Sequence, residues 1–406
     1  MKVVQVNCVY GKGSTGKIVR DIHRELEKRG VESIVCYGRG AKVKEKNVYK
    51  VCGELYSKAN NLWSRITGIM YGGCFFSTQR LIRIIKKERP DIVHLQCING
   101  YFVNIYRLIE WLKRNKINTV LTLHAEFMYT ANCGHALDCE KWREGCGACP
   151  RCRQETKSWF FDGTARSFKR MKAAFDGFGE NLEVVSVSPW LKDRAAQSKI
   201  LGDKKHVVVL NGIDTDVFCP CESSDLREKY VPQGGKIVFH ATPYFTDDPD
   251  HLKGGYYVLK LAELMPNVQF VVAGDYRHGL QLPSNVTLLG QITDQKELAK
   301  YYSMADVTVL VSKKETFSLV TAESLCCGTP VVGFRAGGPE MIALPQYSSF
   351  VDYGEVERLK DVVLEMLEYP RQVETGLALV QYGCESMVDE MIEIYEKYEE
   401  RETCRC

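Results

Sequence analysis

The sequence predicts an α/β chain of two doubly wound domains. Three observations carry that expectation. The chain has 406 residues, too many for one typical core and suited to two. It opens with a strand, Lys2 to Cys8, followed by the glycine loop Gly11 to Lys17. Ile18, Val19, Ile22 and Leu26 then recur at helical spacing, Gly30 stops the helix, and Ser33 to Tyr37 reads as the next strand. Strand, glycine loop, helix and strand begin a doubly wound sheet. A second strand–helix–strand run appears late in the chain. Val307 to Val311 is apolar enough for a buried parallel strand, and a loop carries Glu315. A helix spans Ser318 to Cys327, Gly328 ends it, and another buried strand follows Pro330.

Composition narrows the function. The chain is 45% apolar and 26% charged, as globular proteins are, and its net charge of +3 gives no footprint for nucleic acid. A cysteine-knuckle nucleic-acid binder is the alternative that this balance weighs against. No apolar stretch is long enough to span a bilayer, and the first residues enter strand and loop chemistry directly, unlike a signal peptide. The expectation is a cytoplasmic protein. Its 17 cysteines, scattered over a large chain, argue for reduced thiols and not a disulfide framework.

The late segment also carries chemistry. Glu315 and Glu323 stand eight apart, one before the helix and one inside it. Between them the amides of Phe317, Ser318, Leu319 and Val320 belong to a helix N-terminus, which favours an anion such as phosphate. Carboxylates beside such a site accept hydrogen bonds from hydroxyls. A phosphorylated, hydroxyl-rich ligand, such as a nucleotide sugar, fits both features. The competing reading is a charged helix start in an ordinary strand–helix–strand unit. E-x7-E followed by C-G-T-P-V-V and G-G-x-E (Gly328, Pro330, Gly337, Gly338) resembles the donor site of family 4 glycosyltransferases. That resemblance implies retaining enzymes of the GT-B fold, with two Rossmann-like domains facing a cleft. Among them the chain is similar to bacterial capsule, colanic-acid and exopolysaccharide types.

Taken in order, the elements fit that frame. The loop Gly11 to Lys17 matches G-x-x-x-x-G-K, but Ile18 stands where a P-loop needs a hydroxyl for magnesium. The resemblance instead places Gly11, Gly13 and Gly16 against the donor phosphates and the reacting sugar. A tight turn with no ligand is the plainer alternative. Residues 41–75 yield no assignable chemistry. Arg80 to Glu88 reads as a helix. Pro90 to Leu95 is a strand in the family's P-D-I-V-H-L form, continuing into Gln96 and Asn99, where relatives often carry histidines. Thr119 to Leu123 is a strand with His124 at its end. The family places a histidine there near the sugar and acceptor, and Glu126 stands near the place of its usual aspartate.

Cys133, Cys139, Cys146, Cys149 and Cys152 fall within twenty residues. Thiolates at this spacing, one pair a C-x2-C knuckle, suit a closed tetrahedral zinc site. Cys133, Cys139, Cys146 and Cys149 are the best four, and Cys152 is spare. A labile disulfide pair, or free thiols packing a loop, compete with zinc. Ser158 to Phe178 interleaves aromatics with cations, a face that can dock on anionic membrane or simply pack as a helix with a solvated basic side.

Val184 to Val187 is a strand, and Pro189 opens a helix after Ser188. His206 to Leu210 leads into Asn211-Gly212-Ile213-Asp214 and Phe218, a family motif read as a turn locking the linker. Cys219 to Gly235 reads as a polar hinge. Lys236 to His240 starts the second sheet. Lys253 matches the family lysine that neutralises the donor diphosphate. The arginine expected close upstream is absent, and Asp247, Asp248 and Asp250 stand there. Gln269 to Ala273 is a strand with a turn at Gly274-Asp275. Gly290 and Gln291 resemble the segment that reads the nucleotide base. Glu297 to Ala305, 355–369 and 386–402 read as helices.

The expected domains are 1–213 on the acceptor side, with the cysteine insert at 133–152; 214–385 for the donor; and 386–406, a helix returning to the first. The implied reaction moves a sugar from a nucleotide sugar to a hydroxyl, in a glycan or lipid-linked glycan of surface polysaccharide synthesis. Glu315, His124 and Lys253 would be catalytic. Glu323 would hold the ribose. No D-x-D metal site is evident, so no divalent ion is expected in catalysis. An epimerase or hydrolase acting on the nucleotide sugar is the enzymatic alternative, and peripheral contact with the inner membrane face accompanies a lipid-linked acceptor.

Overall fold

The computed structural model describes residues 1–403. They divide into two compact units, one of Met1–Val209 with the chain from Met387 onward, the other of Leu210–Ser386.

In the first unit the described strands are β1 Lys2–Asn7, β2 Glu32–Tyr37, β3 Val48–Lys50, β4 Ile92–Leu95, β5 Thr119–Leu123, β6 Leu182–Ser186 and β7 Lys205–Val208. Their order in the sheet is β3-β2-β1-β4-β5-β6-β7, and every pairing is parallel. Helices between the strands cover the sheet, so central strands carry apolar side chains toward both faces. Val3, Val4, Val6, Ile92, Val93, Val120 and Leu121 are fully buried.

The second unit repeats the plan. Its strands are β8 Lys236–Phe245, β9 Val268–Tyr276, β10 Val286–Gly290, β11 Val307–Leu310, β12 Val331–Phe334 and β13 Ser348–Val351, in the order β10-β9-β8-β11-β12-β13 and all parallel. One core of Val238, Val258, Phe270, Val307, Val309, Val332 and Phe334 joins the sheet to its helices.

Strand order reverses at β1/β4 in the first unit and at β8/β11 in the second. Loops at the carboxyl ends of such strands form the ligand crevice of open α/β sheets. Gly11 to Gly16 follow β1, Gln96 follows β4, Lys253 follows β8 and Glu315 follows β11.

Several segments differ from the sequence reading. The helix expected from Arg80 begins at Phe75, and residues 41–75 contain β3 and the helix Glu54–Thr67. The hinge expected at Cys219 to Gly235 holds the helix Ser224–Tyr230. Its Arg227 bonds Met304 O and the Asp306 carboxylate. The turn expected at Gly274-Asp275 lies inside β9, where Gly274 (φ +140°) sits at a register shift against Gly290. The helix Thr375–Tyr382 was not foreseen. Its end meets the N-G-I-D segment: Ile213 N donates to Tyr382 O, and a Cβ on Gly212 would lie 2.6 Å from Cys384 Cα.

Candidate active site

In the second unit three loops are fastened together. Gly254, at φ +69°, ends the loop after β8, and a Cβ there would lie 2.0 Å from Val311 O. Lys313 N donates to Leu252 O at 2.8 Å, so the loops after β8 and β11 run side by side. Glu315 N donates to Ala336 O, and Gly338 N to Glu315 O, which ties in the loop after β12. The Glu340 carboxylate accepts from the amides of Ala336 and Gly337 and holds that loop in turn. Gly338 has no room for a side chain, since a Cβ would meet Thr316 O at 2.4 Å and Phe317 N at 2.8 Å.

This scaffold fixes the charged groups. Lys253 Nζ donates to Glu315 Oε1 at 2.5 Å, both side chains being partly exposed. Ser318 precedes the helix Leu319–Cys326 with φ +92°, a strained value for a residue with a Cβ. Its Oγ accepts from Thr321 N, capping the helix. The Phe317 ring is buried, so only its backbone can serve a ligand. First-turn amides have no acceptor within their own helix and point toward its N-terminal approach.

Beside this approach lies a cavity of about 260 Å³ whose lining includes Thr242, Gly274, Gln291, Tyr302, Val320 and Glu323. A Cβ on Gly274 would lie 1.9 Å from Thr242 O. Gly290 closes β10 at φ +78°, and Gln291 follows it, exposed. Tyr302 is fully buried, and its hydroxyl donates to Glu323 Oε2 at 2.9 Å. Burial raises the phenol well above its ordinary value, and the carboxylate adds to the shift, so Tyr302 remains a donor. The structure thus gathers Lys253 with Glu315, and Gln291 and Val320 with Glu323.

In the first unit Gly11 and Gly13 take φ +67° and +64°. Gly11 N donates to Gly16 O, and a Cβ on Gly16 would crowd Val9 at 3.0 Å. Asn7 joins this loop to the one after β4, its amide bonding Val9 O and Cys97 N. His124 Nε2 lies 2.8 Å from Gln96 Oε1. Gln96 Nε2 lies 3.4 Å from His94 Nδ1, and His94 contacts Thr122 Oγ1 and Tyr395 OH, each at 2.7 Å. Burial pulls His124 down to about 4 and His94 to about 3, so both rings are neutral at pH 7. His124 therefore offers hydrogen bonds and no positive charge.

Glu126 does not take up the aspartate's place as a free carboxylate. It is fully buried and accepts from Tyr129 OH, Ala136 N and Arg194 Nε. The Arg194 guanidinium lies 4.7 Å from the Trp142 ring centre and 5.1 Å from that of Trp190. Glu126 and Arg194 anchor the cysteine insert on the helix Pro189–Ala196.

Cys133, Cys139, Cys146, Cys149 and Cys152 are all free thiols of intermediate exposure. Cys146 Sγ lies 3.6 Å from Thr130 O, and Cys152 Sγ 3.4 Å from Thr156 Oγ1. Among the described residues no three His, Cys, Asp or Glu side chains gather as a group able to hold a metal ion. Cys146, Cys149 and Cys139 nevertheless stand close enough to Cys133 to add to the upward shift that burial gives its thiol, so the four expected cysteines are neighbours and structural zinc on them stays a proposal.

Tyr302 and Arg194 were missed from the sequence, and no local motif marks them. Arg277 was missed as well. It follows β9, its amide donates to Phe245 O, and its guanidinium pairs with Asp247 at 2.9 Å. An arginine therefore does reach the loop after β8, from downstream in the sequence.

Residues 15–217 match the family described as Glycosyltransferase Family 4, and residues 253–369 match Glycosyl transferases group 1. The "Putative colanic acid biosynthesis glycosyl transferase WcaC" of Escherichia coli (strain K12) is 22% identical, over 98% of this chain and 100% of that protein. Sucrose-phosphate synthase from Thermosynechococcus elongatus superposes with a TM-score of 0.66 at 16% identity, over 98% of each chain. Anabaena Alr3699/HepE in complex with UDP superposes at 0.65 and 14% identity, over 98% of this chain and 100% of its own. The fold is GT-B.

Proposed function

Because the chain belongs to glycosyltransferase family 4, we propose that it moves a sugar from a nucleotide sugar to a hydroxyl acceptor with retention at the anomeric carbon. The acceptor we propose is a glycan or lipid-linked glycan of surface polysaccharide synthesis. One observation carries the reading: the Lys253–Glu315 pair and a helix N-terminus stand on fastened loops, with Glu323 lining the adjacent cavity.

The roles follow from that placement. Glu323, steadied by Tyr302, accepts from the ribose hydroxyls. Glu315 accepts from the sugar hydroxyls. Lys253 shifts from Glu315 to the diphosphate as negative charge develops on the leaving group. The amides of Phe317 to Val320 meet the same charge, which is electrostatic preorganisation. His124 acts as a neutral ring that offers hydrogen bonds and no charge. The acceptor attacks on the leaving-group face, and a phosphate oxygen takes its proton. Gly290 and Gln291 face the base. UDP bound to HepE and the colanic-acid name of the Escherichia coli relative support the donor and pathway classes.

The test is transfer of labelled sugar from nucleotide donors to lipid-linked glycan, with the product's anomeric configuration read by NMR. A retained configuration is expected, and Lys253→Ala should slow transfer by about 100-fold, the scale of losing one preorganised donor. An inverted product would overturn retention. Free sugar formed equally with and without acceptor would make the protein a hydrolase.

A further inference from the structure

The helix Glu54–Thr67 in the first unit is inside out. Its buried side chains are serines: Ser57 bonds Gly100 O and Ser64 contacts Met70 Sδ. Its apolar face points outward, with Leu55 83%, Leu62 47%, Trp63 40% and Ile66 41% exposed. These residues recur at helical spacing, so they form one stripe. A surface helix of a globular domain normally faces its apolar stripe to the core.

A second apolar element adjoins the stripe. Trp159, Phe160 and Phe161 are 48%, 71% and 62% exposed, whereas Phe168 and Phe175 of the same aromatic-rich segment are buried in the unit. The two elements are locked together. Trp159 N donates to Arg65 O at 2.8 Å, and a Cβ on Gly163 would lie 2.0 Å from Gly68 O. Leu62, Trp63 and Ile66 thus share one surface with the three aromatics, an apolar patch held rigid by backbone contacts. Contiguous exposed apolar surface marks an interaction site.

Charge indicates what covers it. Residues 54–76 and 151–172 carry nine Lys or Arg against three Asp or Glu, although the whole chain is only +3. Two of the three acids are engaged, Glu54 by Lys50 and Glu155 by Arg151. Lys58, Arg153, Lys157, Arg166 and Lys169 are exposed. Apolar and aromatic side chains bordered by cations complement an anionic lipid interface, where rings sit at headgroup depth and cations meet lipid phosphates.

We propose that this surface seats the first unit on an anionic lipid bilayer as a peripheral contact. It rests on the inverted helix and does not depend on the transfer reaction. The described residues include no helix long and apolar enough to cross a membrane, so attachment is interfacial.

The test is flotation of the full chain with phosphatidylglycerol–phosphatidylethanolamine vesicles and with phosphatidylcholine vesicles. A Trp63→Ser/Phe160→Ser/Phe161→Ser variant is run beside the wild type. Binding to the anionic vesicles is expected, weakened by high salt, and reduced roughly tenfold or more in the variant as apolar burial is lost. The variant's melting temperature and its response to nucleotide sugar should match the wild type, since these side chains face solvent. No binding to anionic vesicles at low salt would overturn the proposal, as would equal binding by the variant. A wild-type dimer that the variant dissolves would assign the patch to a second copy of this chain and overturn it too.

Discussion

Tyr302 shows how a buried side chain can set the geometry of a ligand-facing one. Its hydroxyl reaches Glu323 from the core side. Tyr302→Phe keeps the ring packing against Phe218 and Phe239 and removes only that donor. A hydrogen bond to a charged group is worth about 1.5–3 kcal/mol of stability, so the variant's melting temperature should fall by a few degrees, and nucleotide-sugar affinity should fall with it as Glu323 loses its orienting donor. Calorimetric titration of the donor checks this, and unchanged affinity would remove Tyr302 from the site. The sequence made Glu315, Glu323 and Lys253 visible because their spacing to glycines and a helix start is local. Gln96 was visible as a departure at a strand end, but its contact with His124 was not, and Tyr302 was not visible at all: each acts on a residue at least twenty positions away.

At the scale of elements, the cysteine insert is held by the buried Glu126–Arg194 pair, with Arg194 packed between two indoles. Removing one partner of a buried pair leaves the other charge unmatched, at a cost of about 3–5 kcal/mol. Arg194→Ala should therefore lower the melting temperature by several degrees, read by differential scanning fluorimetry. Melting of the wild type with a chelator decides the zinc proposal separately: a large drop would show that a metal also holds the insert, and unchanged melting would overturn zinc there. The strands were legible because buried parallel strands are continuous apolar runs, as in Val307 to Val311. The helix Glu54–Thr67 was not read although Leu55, Leu62, Trp63 and Ile66 recur at helical spacing, and that spacing does not tell that its buried residues are Ser57 and Ser64. The interleaved aromatics after Ser158 were legible as a group, but which of them face water depends on the turn at Gly163, which sequence spacing does not reveal.

For the whole molecule, histidines contribute to the acid limit, chief among them the buried His94 and His240 and the partly buried His124. His94 falls to about 3, and His124 and His240 to about 4, from an ordinary value of 6.5, chiefly through burial. A depressed folded value means the unfolded chain takes the proton first as pH falls. Their stabilising contribution is complete above about 6.5 and is lost downward toward 4, at up to about 1.4 kcal/mol per pH unit for each ring. Melting temperature should hold from pH 8 to 7 and fall steadily from pH 6 to 5. A flat profile across that lower range would contradict neutral burial of these rings. Sheet order belongs to this scale too and was not legible from residues alone. β1 meets β4, and β8 meets β11, across more than sixty residues of intervening chain, and only resemblance to a known fold supplied that pairing.

The central claim is that the cavity beside Glu323 takes the nucleotide end of a nucleotide sugar. The most direct measurement is a thermal-shift panel of nucleotide sugars on wild type and Glu323→Ala. A bound ligand stabilises in proportion to the logarithm of its concentration over its dissociation constant, so even weak donors register. The account predicts that one nucleotide sugar raises the wild-type melting temperature and that Glu323→Ala, compared with its own ligand-free melting temperature, loses the response. A variant that responds like the wild type, or a panel that shifts neither protein, would contradict it.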